Sequence, residues 1–480
     1  MSDLYQLMRA SALQFASITD LTLDSREAQP GSLFIALPGE NYDGRDFLSQ
    51  AFKKGAIAAI AEEEGFELTS DNRVLPIRGL RNQLGDFASR FFGNPSETMN
   101  VIAVTGTNGK TSVTDLCAQL LRTTGKATGS IGTLGIRMDQ KASIVRNTTP
   151  DPITLHRQLK AWRDAGVEHV VLEASSHGLN QRRLDGLCVE VAAFTCFSRD
   201  HLDYHGSMKS YFDSKLLLVT DFSPKNLVYN ADDPIIRRVS EYASGSVFGI
   251  SNQQSDADIF YEILSESPVS VRIKSPWGDG QVFTNLFGSF NAFNLVASIV
   301  AVVCTGLDFC EVIDVASSLE PVEGRFQHLD EESDISVFID YAHTPDALHQ
   351  CISALTQEKG SGKLWVIFGC GGNRDKGKRP EMGAIASVLA DRVVLTNDNP
   401  RYESPAGIVQ DILSGCKDIL PEIKLNRADA IEFALTEADT GDVVLIAGKG
   451  HEVYQEVAGK LSPFSDFEFA CKALQQRRLA

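Results

Sequence analysis

The chain lacks the features that define several large protein classes. None of its 480 residues belongs to a run approaching the roughly 18 consecutive apolar residues of a membrane span, so no membrane insertion is expected. The first residues, Met1-Ser-Asp-Leu-Tyr, carry no basic and apolar leader, so no export signal is expected. Positive charge is scarce: 45 Lys and Arg stand against 63 Asp and Glu, a formal charge of −18. Nonspecific nucleic-acid binding draws mainly on basic contacts, so nucleic acid is not an expected partner. Anionic small molecules stay open, because a few lysines and arginines can line one cleft. The nine cysteines are scattered from Cys117 to Cys471 and none forms a C-x-x-C pair. An odd number of dispersed thiols in a large chain argues against a disulfide framework and for a reducing cytoplasm. Glycine and proline are not in excess, and no internal repeat, heptad or low-complexity tract stands out. What remains is an ordinary globular composition, 43% apolar and 22% charged, in a chain too long for a single core.

The organisation reads as α/β in three parts. Residues 1–98 form a small α/β unit, with an apolar strand over Ser32 to Leu37 stopped by Pro38-Gly39 and an amphipathic helix over Leu80 to Phe92. Residues 99–322 alternate strand and helix, with strands at Val101–Val104, Val167–Leu172, Val189–Phe194 and Leu227–Tyr229. That rhythm predicts a mostly parallel sheet covered on both faces. Residues 258–287 break it with antiparallel patterning. Residues 323–480 restart it, with strands at Val337–Ile339, Leu364–Phe368, Arg392–Leu395 and Val443–Ala447. Each of these four ends in polar or glycine-rich sequence. Ligands of open α/β sheets sit beyond the carboxyl ends of the strands, so four such ends imply a site.

The segment with the clearest chemistry follows the first central strand: Gly106-Thr107-Asn108-Gly109-Lys110-Thr111-Ser112. Backbone N–H groups of such a loop cradle phosphates, a lysine here reaches the β- and γ-phosphates, and the next hydroxyl sits on Mg²⁺. It is a variant loop, since the usual first glycine would fall at Val104. The loop implies a nucleoside triphosphate and does not name the reaction. Glu173, at a strand end, is either a cap or a hard oxygen ligand for Mg²⁺. In Ser198-Arg199-Asp200-His201-Leu-Asp203-Tyr204-His205, His201 is a candidate metal ligand, and Arg199 or His205 a candidate phosphate or substrate contact. Asn147-Thr148-Thr149-Pro150-Asp151-Pro152 reads as a hydroxyl-rich turn. Gly369 to Arg379 exposes backbone amides next to four cations, which is either an anion site or a solvated loop. Lys215, by its residue context alone, is a solvated helix lysine.

These motifs, in this order, resemble the ATP-dependent Mur ligases of peptidoglycan synthesis. Within that family the chain is similar to the enzymes that add the third amino acid to UDP-N-acetylmuramoyl-L-alanyl-D-glutamate. The resemblance runs from Asp24 to at least Glu452. It implies three domains: a small N-terminal one for the uridine nucleotide, a central mostly parallel P-loop ATPase-like one, and a C-terminal Rossmann-like one for the amino acid. The Rossmann-like label does not imply NAD, because the region lacks G-x-G-x-x-G. Asp24-Ser25-Arg26 and Leu37 to Gly44 match the uridine-nucleotide segments, with Ser25 a substrate contact. The resemblance implies that Thr111 and Glu173 coordinate one Mg²⁺, that His201 helps hold a second, and that Lys215, as a carbamate, is a further anionic oxygen ligand. Catalysis falls to Lys110, Glu173, His201 and Lys215. Thr148, Thr149, Ser176 and Arg182 match muramoyl-substrate positions. Asn294 matches an adenine contact, and Arg325, Asp340 and His343 match nucleotide-side residues.

Asp398-Asn399-Pro400-Arg401 matches the family's motif for meso-diaminopimelate, with Arg374, Gly448 and Glu452 completing the pocket. Arg401 can pair bidentately with the distal carboxylate that lysine lacks. The implied chemistry is phosphorylation of the D-glutamate γ-carboxylate by ATP, then attack of the incoming amine on the acyl phosphate. A monomer in the cytoplasm is the expected form. The alternatives are a lysine-adding ligase of the same family and, from another class, a non-catalytic nucleotide-binding protein.

Overall fold

The structure, a computed structural model, describes residues 17–39, 42–66, 71–138, 141–143, 147–329 and 333–479. The first residues, and Glu40 and Asn41 of the uridine-nucleotide match, lie outside the described residues. The chain folds into three α/β units, each built on its own sheet, with a separate hairpin near the end.

The first sheet has four parallel strands in the order Asp20–Thr22, Ser32–Ala36, Ala58–Glu62 and Val74–Ile77. The fully buried run Ser32–Ala36 explains its centre. Leu33 and Ile35 face one way, into a core closed by Leu84, Phe87 and Ala88 of the helix Leu84–Phe91. Phe34 and Ala36 face the other, against Ala51 of the helix Leu48–Lys54. The strand Val74–Ile77, absent from the sequence reading, contains Pro76. Proline has no N–H for a ladder and is tolerated at the sheet edge where this strand lies.

The central sheet has eleven strands. Its middle is parallel: Ser246–Ser251, Asn226–Asn230, Val191–Phe194, Asn100–Thr105, His169–Glu173 and Thr128–Gly132 lie side by side. Strict alternation along Asn100–Thr105 sends Ile102 and Val104 to one core and Val101 and Ala103 to the other. Helices Lys110–Thr123 and Ser289–Val303 cover the first face. Helices Pro152–Asp164 and Met208–Thr220 cover the second. The segment read as antiparallel does not form a separate sheet. Ile259–Glu266 joins the edge in parallel, and Val269–Ser275 and Gly278–Phe283 extend it antiparallel. Thr128–Gly132 carries two glycines and little β-forming signal, and its place between neighbours comes from tertiary pairing.

The third sheet has six strands in the order Gln327–Leu329, Ser336–Asp340, Val443–Ala447, Leu364–Phe368, Arg392–Leu395 and Glu422–Ile423. All pairs but the first are parallel. The hairpin Tyr454–Val457 and Lys460–Pro463 stands apart from it. Among the described residues, no helix is long and apolar enough to cross a membrane.

Candidate functional site

The carboxyl ends of the central and third sheets open on one cleft of about 1920 Å³. Pro38, Gly39, Tyr42 and Arg81 of the first unit reach its far rim. Most residues singled out from the sequence line it: Thr107 to Ser112, Thr148, Glu173, Ser176, His201, Lys215, Asn294, Arg325, Asp340, His343, Arg374, Asp398, Asn399, Arg401, Gly448 and Glu452. Gly106, Ser25, Thr149, Arg182 and Pro400 do not.

The phosphate-type loop is shaped by two glycines. Gly106 has φ +147°, and a Cβ there would stand 1.8 Å from Thr195 Oγ1. Gly109 has φ +84° and precedes the helix Lys110–Thr123, whose N-terminus has no side-chain cap. Its first N–H groups are therefore open to an anion, which the helix dipole favours. Lys110 Nζ folds back onto the loop, donating to Gly106 O (2.9 Å) and Thr107 O (2.8 Å). Burial lowers its pKa, opposed by Glu173 and Asp200.

Lys215 overturns the residue-context reading of a solvated lysine. It lies on the helix Met208–Thr220 but is 1% exposed, and its Nζ donates to the same carbonyl, Gly106 O, at 2.6 Å. Burial and the neighbouring Lys110 hold its pKa well below the usual lysine value, so the amine is readily neutral. Helical periodicity marks a face but not what packs on that face, and here it is the underside of the phosphate loop.

Glu173 ends the strand His169–Glu173 and is buried. Thr133 N–H donates to its Oε1 (2.7 Å) and Thr133 Oγ1 to its Oε2 (3.1 Å), which aims the carboxylate along the cleft wall. Asp200, which the sequence reading left without a role, is the hub of the charged cluster. His201 Nε2 (3.3 Å), His343 Nε2 (3.6 Å) and Lys378 Nζ (3.7 Å) surround its carboxylate. Burial alone would raise its pKa, but the hydrogen bond from His343 and the charge of Lys378 hold it well below the usual carboxylate range. Burial pushes the His201 imidazole down to about 2, so it is a neutral ring with a lone pair to offer. Among the described residues no three His, Cys, Asp or Glu side chains form a ready-made cation cage. The oxygen donors of Thr111 and Glu173 are the donor types that a phosphate-bound Mg²⁺ takes alongside water, and the neutral His201 ring would add a nitrogen donor.

The two other candidates of that segment turn away. Arg199 Nε donates to Asp375 Oδ2 (3.0 Å) and its Nη1 to Glu381 Oε1 (2.9 Å), bridging to the third unit. His205 Nε2 lies 3.0 Å from Ser176 Oγ, and its Nδ1 lies 3.3 Å from Ser214 Oγ. Arg182 pairs with Asp221 at 2.6 Å, outside the cleft lining, while Arg183 lines the cleft and donates to Thr149 O (2.9 Å). Thr149 is buried and donates to Glu173 O (2.7 Å), bracing that strand end. The hydroxyl-rich turn is a helix start: Asp151 accepts from Ile153 N and Thr154 N, both at 3.0 Å, and Pro152 takes the first helical position. Ser25 is buried and donates to Gln50 Oε1 (2.6 Å).

In the third unit, Arg401 has φ +50°, and its Nη1 donates to Gly372 O (2.8 Å) while Nε pairs with Glu456 (3.1 Å). Gly371 is tight against it: a Cβ there would stand 3.0 Å from Arg401 Nη1. Gly448, at φ +112°, packs where a Cβ would meet Asp398 Oδ2 at 2.8 Å. Glu452 accepts from Asn399 Nδ2 (2.8 Å) and Lys449 Nζ (2.9 Å). Contacts from this unit reach the phosphate loop directly. Arg325 Nη2 donates to Thr111 Oγ1 (2.8 Å), and Asn108 Nδ2 donates to Asp346 Oδ2 (2.9 Å). Asp346 and Lys449 escaped the sequence reading, and Lys378, one of the four cations counted between Gly369 and Arg379, turns to Asp200. Their partners are remote in the chain or inside a short turn, so spacing carried no signal.

Comparison with known proteins covers nearly the whole chain. The Mur ligase family catalytic-domain model matches residues 17–92, the Mur ligase middle domain 104–302, and the Mur ligase glutamate ligase domain 324–450. The UDP-N-acetylmuramoyl-L-alanyl-D-glutamate--2,6-diaminopimelate ligase of Coxiella burnetii is 41% identical over 471 residues, which are 95% of this chain and 96% of that one. The ligase of the same name from Bacillus licheniformis is 39% identical over 471 residues, covering 95% and 94%. A solved structure of a ligase of that name superposes with a TM-score of 0.67 at 34% identity, covering 96% of this chain and 95% of that one.

Proposed function

Because the chain belongs to the Mur ligase family and is an ATP-dependent ligase, we propose that it joins meso-diaminopimelate to the D-glutamate γ-carboxylate of UDP-N-acetylmuramoyl-L-alanyl-D-glutamate. The observation that carries this reading is the shared cleft: the phosphate loop and the Asp398-to-Arg401 pocket open on one space from two facing sheets. Relatives that match nearly end to end bear that activity in their names. The nine free cysteines suit an enzyme of the reducing cytoplasm.

In this reading the loop Gly106–Ser112 cradles the phosphates of ATP, and Asn294, Arg325, Asp340 and His343 hold the nucleoside side. Lys110 leaves its carbonyl partners to meet the transferring phosphoryl group, where its charge is worth most in the transition state. Thr111, Glu173, His201 and a carbamylated Lys215 would hold Mg²⁺, which supplies further neutralisation of phosphate charge. Carbamylation fits the chemistry of the site. Two ammonium groups cannot share the single carbonyl of Gly106 in a buried space without mutual repulsion. A neutral Lys215 amine can attack carbon dioxide, losing a proton, and the resulting anion offsets Lys110.

The muramoyl peptide lies along Thr148, Ser176 and Arg183, with its uridine end toward Tyr42 and Arg81. Its γ-carboxylate takes the phosphoryl group, and the diaminopimelate amine then displaces phosphate to leave an amide. Arg374 and Arg401 hold the distal carboxylate of diaminopimelate, and Glu452 its distal ammonium. Closure of the cleft would exclude water from the acyl phosphate, which would otherwise hydrolyse.

The test is ATP-dependent amide formation from UDP-N-acetylmuramoyl-L-alanyl-D-glutamate, with meso-diaminopimelate and L-lysine compared. Product with diaminopimelate, abolished in a folded Lys110→Ala variant, is the expected result. Product mainly with lysine would overturn the specificity. No product with either would overturn the reaction.

A further inference from the structure

Glu452 presents an asymmetric carboxylate. Its Oε2 accepts from Asn399 Nδ2 at 2.8 Å and from Lys449 Nζ at 2.9 Å. Among the described residues its Oε1 has only the Tyr341 hydroxyl, at 3.5 Å, near the outer limit of a hydrogen bond. Lys449 is fully buried, whereas the Glu452 side chain keeps 16% of its exposure and lines the cleft. The ammonium of Lys449 also donates to Asn399 Oδ1 (3.1 Å), and that oxygen accepts from Glu456 N (2.9 Å). Lys449, Asn399 and Glu452 Oε2 thus close a triangle, with the ring of Tyr454 5.6 Å from the ammonium. The turn that builds it is local, since Glu452 N donates to Lys449 O (3.0 Å).

A buried ammonium is costly unless paired, and a carboxylate held by two donors at one oxygen cannot rotate freely. We infer that Lys449 is a positioning residue for acceptor selection: it pins one oxygen of Glu452 so that the other faces the acceptor's distal ammonium. Lys449 touches no substrate in this arrangement and acts only through Glu452 and Asn399. The same geometry makes Asn399 a second support of Glu452. With Oε2 neutralised by Lys449, the single open oxygen is aligned for one cation, while the distal carboxylate goes to Arg401 and Arg374. The inference rests on the reading of this pocket as the diaminopimelate site.

The test compares kcat/KM for meso-diaminopimelate with that for 2-aminopimelate, which keeps the distal carboxylate and lacks only the distal ammonium. Lys449→Met is expected to lower the preference for diaminopimelate over 2-aminopimelate about tenfold, the value of one aligned charge-assisted contact. KM for ATP should change less than about twofold, a shift that uniform damage would exceed. In a Glu452→Gln background, Lys449→Met should cause no further loss of that preference, because the two residues act as one unit. If Lys449→Met does not fold, Lys449→Gln, which keeps a donor without the charge, replaces it and should show the same selective loss at smaller size. A preference that is unchanged or increased, or equal losses for both acceptors, overturns the inference while leaving the reaction standing. A parent protein that makes no amide with diaminopimelate overturns the functional reading, and this inference with it.

Discussion

At the scale of single residues, Arg401 shows how the pocket is held. Its φ of +50° is costly for a side chain with a Cβ, on the order of 1–2 kcal/mol. The hairpin holds it there: Arg401 N donates to Glu456 O (3.1 Å), and Ala458 N donates to Arg401 O (2.7 Å). His201, at φ +53°, is a second left-handed residue in the cleft lining. Such positions are maintained only when the surroundings over-determine them. We expect Arg401→Ala to raise KM for diaminopimelate by roughly 10–100-fold, the loss of a charge-assisted carboxylate contact. KM for ATP should stay within about twofold, since the phosphate loop lies on the central unit and Arg401 on the third. Steady-state kinetics with each substrate varied in turn checks this, and equal losses for both would reject Arg401 as a selectivity residue. Arg401 was legible in the sequence because its neighbours form a contiguous motif. Its strain and its hold on Gly372 were not, because φ depends on the hairpin that meets it more than fifty residues later.

At the scale of elements, the helix Pro152–Asp164 ties the first two units together. Its Asp151 cap and Pro152 start are local and readable. Its buried face reaches both ways, with Ile153 in the core of the first unit and Leu155 and Leu159 in the central one. His156 on this helix is fully buried, and its Nε2 lies 2.9 Å from Asp185 O, so it donates there as the neutral ring. Burial pushes its pKa down to about 4. A folded pKa below the unfolded value near 6.5 means that the unfolded chain binds the proton more tightly. The associated stability is present above about pH 6.5 and is lost as pH falls toward 4, on the order of 3 kcal/mol in total. Asp185, raised to about 6 by burial, works in the opposite sense, losing stability as pH rises through its folded pKa. The readout is therefore the difference between parent and variant. Denaturant midpoints from pH 7 to pH 4 should fall less steeply for His156→Gln than for the parent, and parallel curves would reject His156 as an acid-sensitive element.

At the scale of the whole molecule, the central and third units meet through one aromatic seam, Phe287 and Phe290 against Phe338 and Phe326, and through polar contacts around the cleft. Arg199 to Asp375 and Glu381, Asn108 to Asp346, Arg325 to Thr111 and Lys378 to Asp200 all cross that boundary. Polar inter-domain contacts of this kind allow relative motion and can be remade when substrates bind. Arg199 is partly exposed, so its pairs contribute little to folding, about 0–1 kcal/mol. Their effect should fall on closure. We expect Arg199→Ala to keep the parent's unfolding midpoint while kcat drops roughly three- to tenfold. The ratio of phosphate released to amide formed should rise above one, because a less closed cleft admits water to the acyl phosphate. Parallel phosphate and amide assays measure this, and an unchanged ratio with an unchanged kcat would reject the closure role.

The sequence by itself determined what is local or periodic. The phosphate loop, the strand ends that carry Glu173, Asp340, Asp398 and Gly448, and the α/β rhythm of three units are all contiguous patterns, and they were legible without coordinates. Only the tertiary structure decided which side chains those patterns bring together. It buried Lys215 under Gly106, made Asp200 the meeting point of His201, His343 and Lys378, sent Arg182 outward while Arg183 lines the cleft, and set Lys449 behind Glu452. The reason is physical: hydrogen bonds and ion pairs act over a few ångströms in space. A residue's place along the chain sets its backbone neighbours, whereas its electrostatic partners depend on sheets and helices packed across more than a hundred residues.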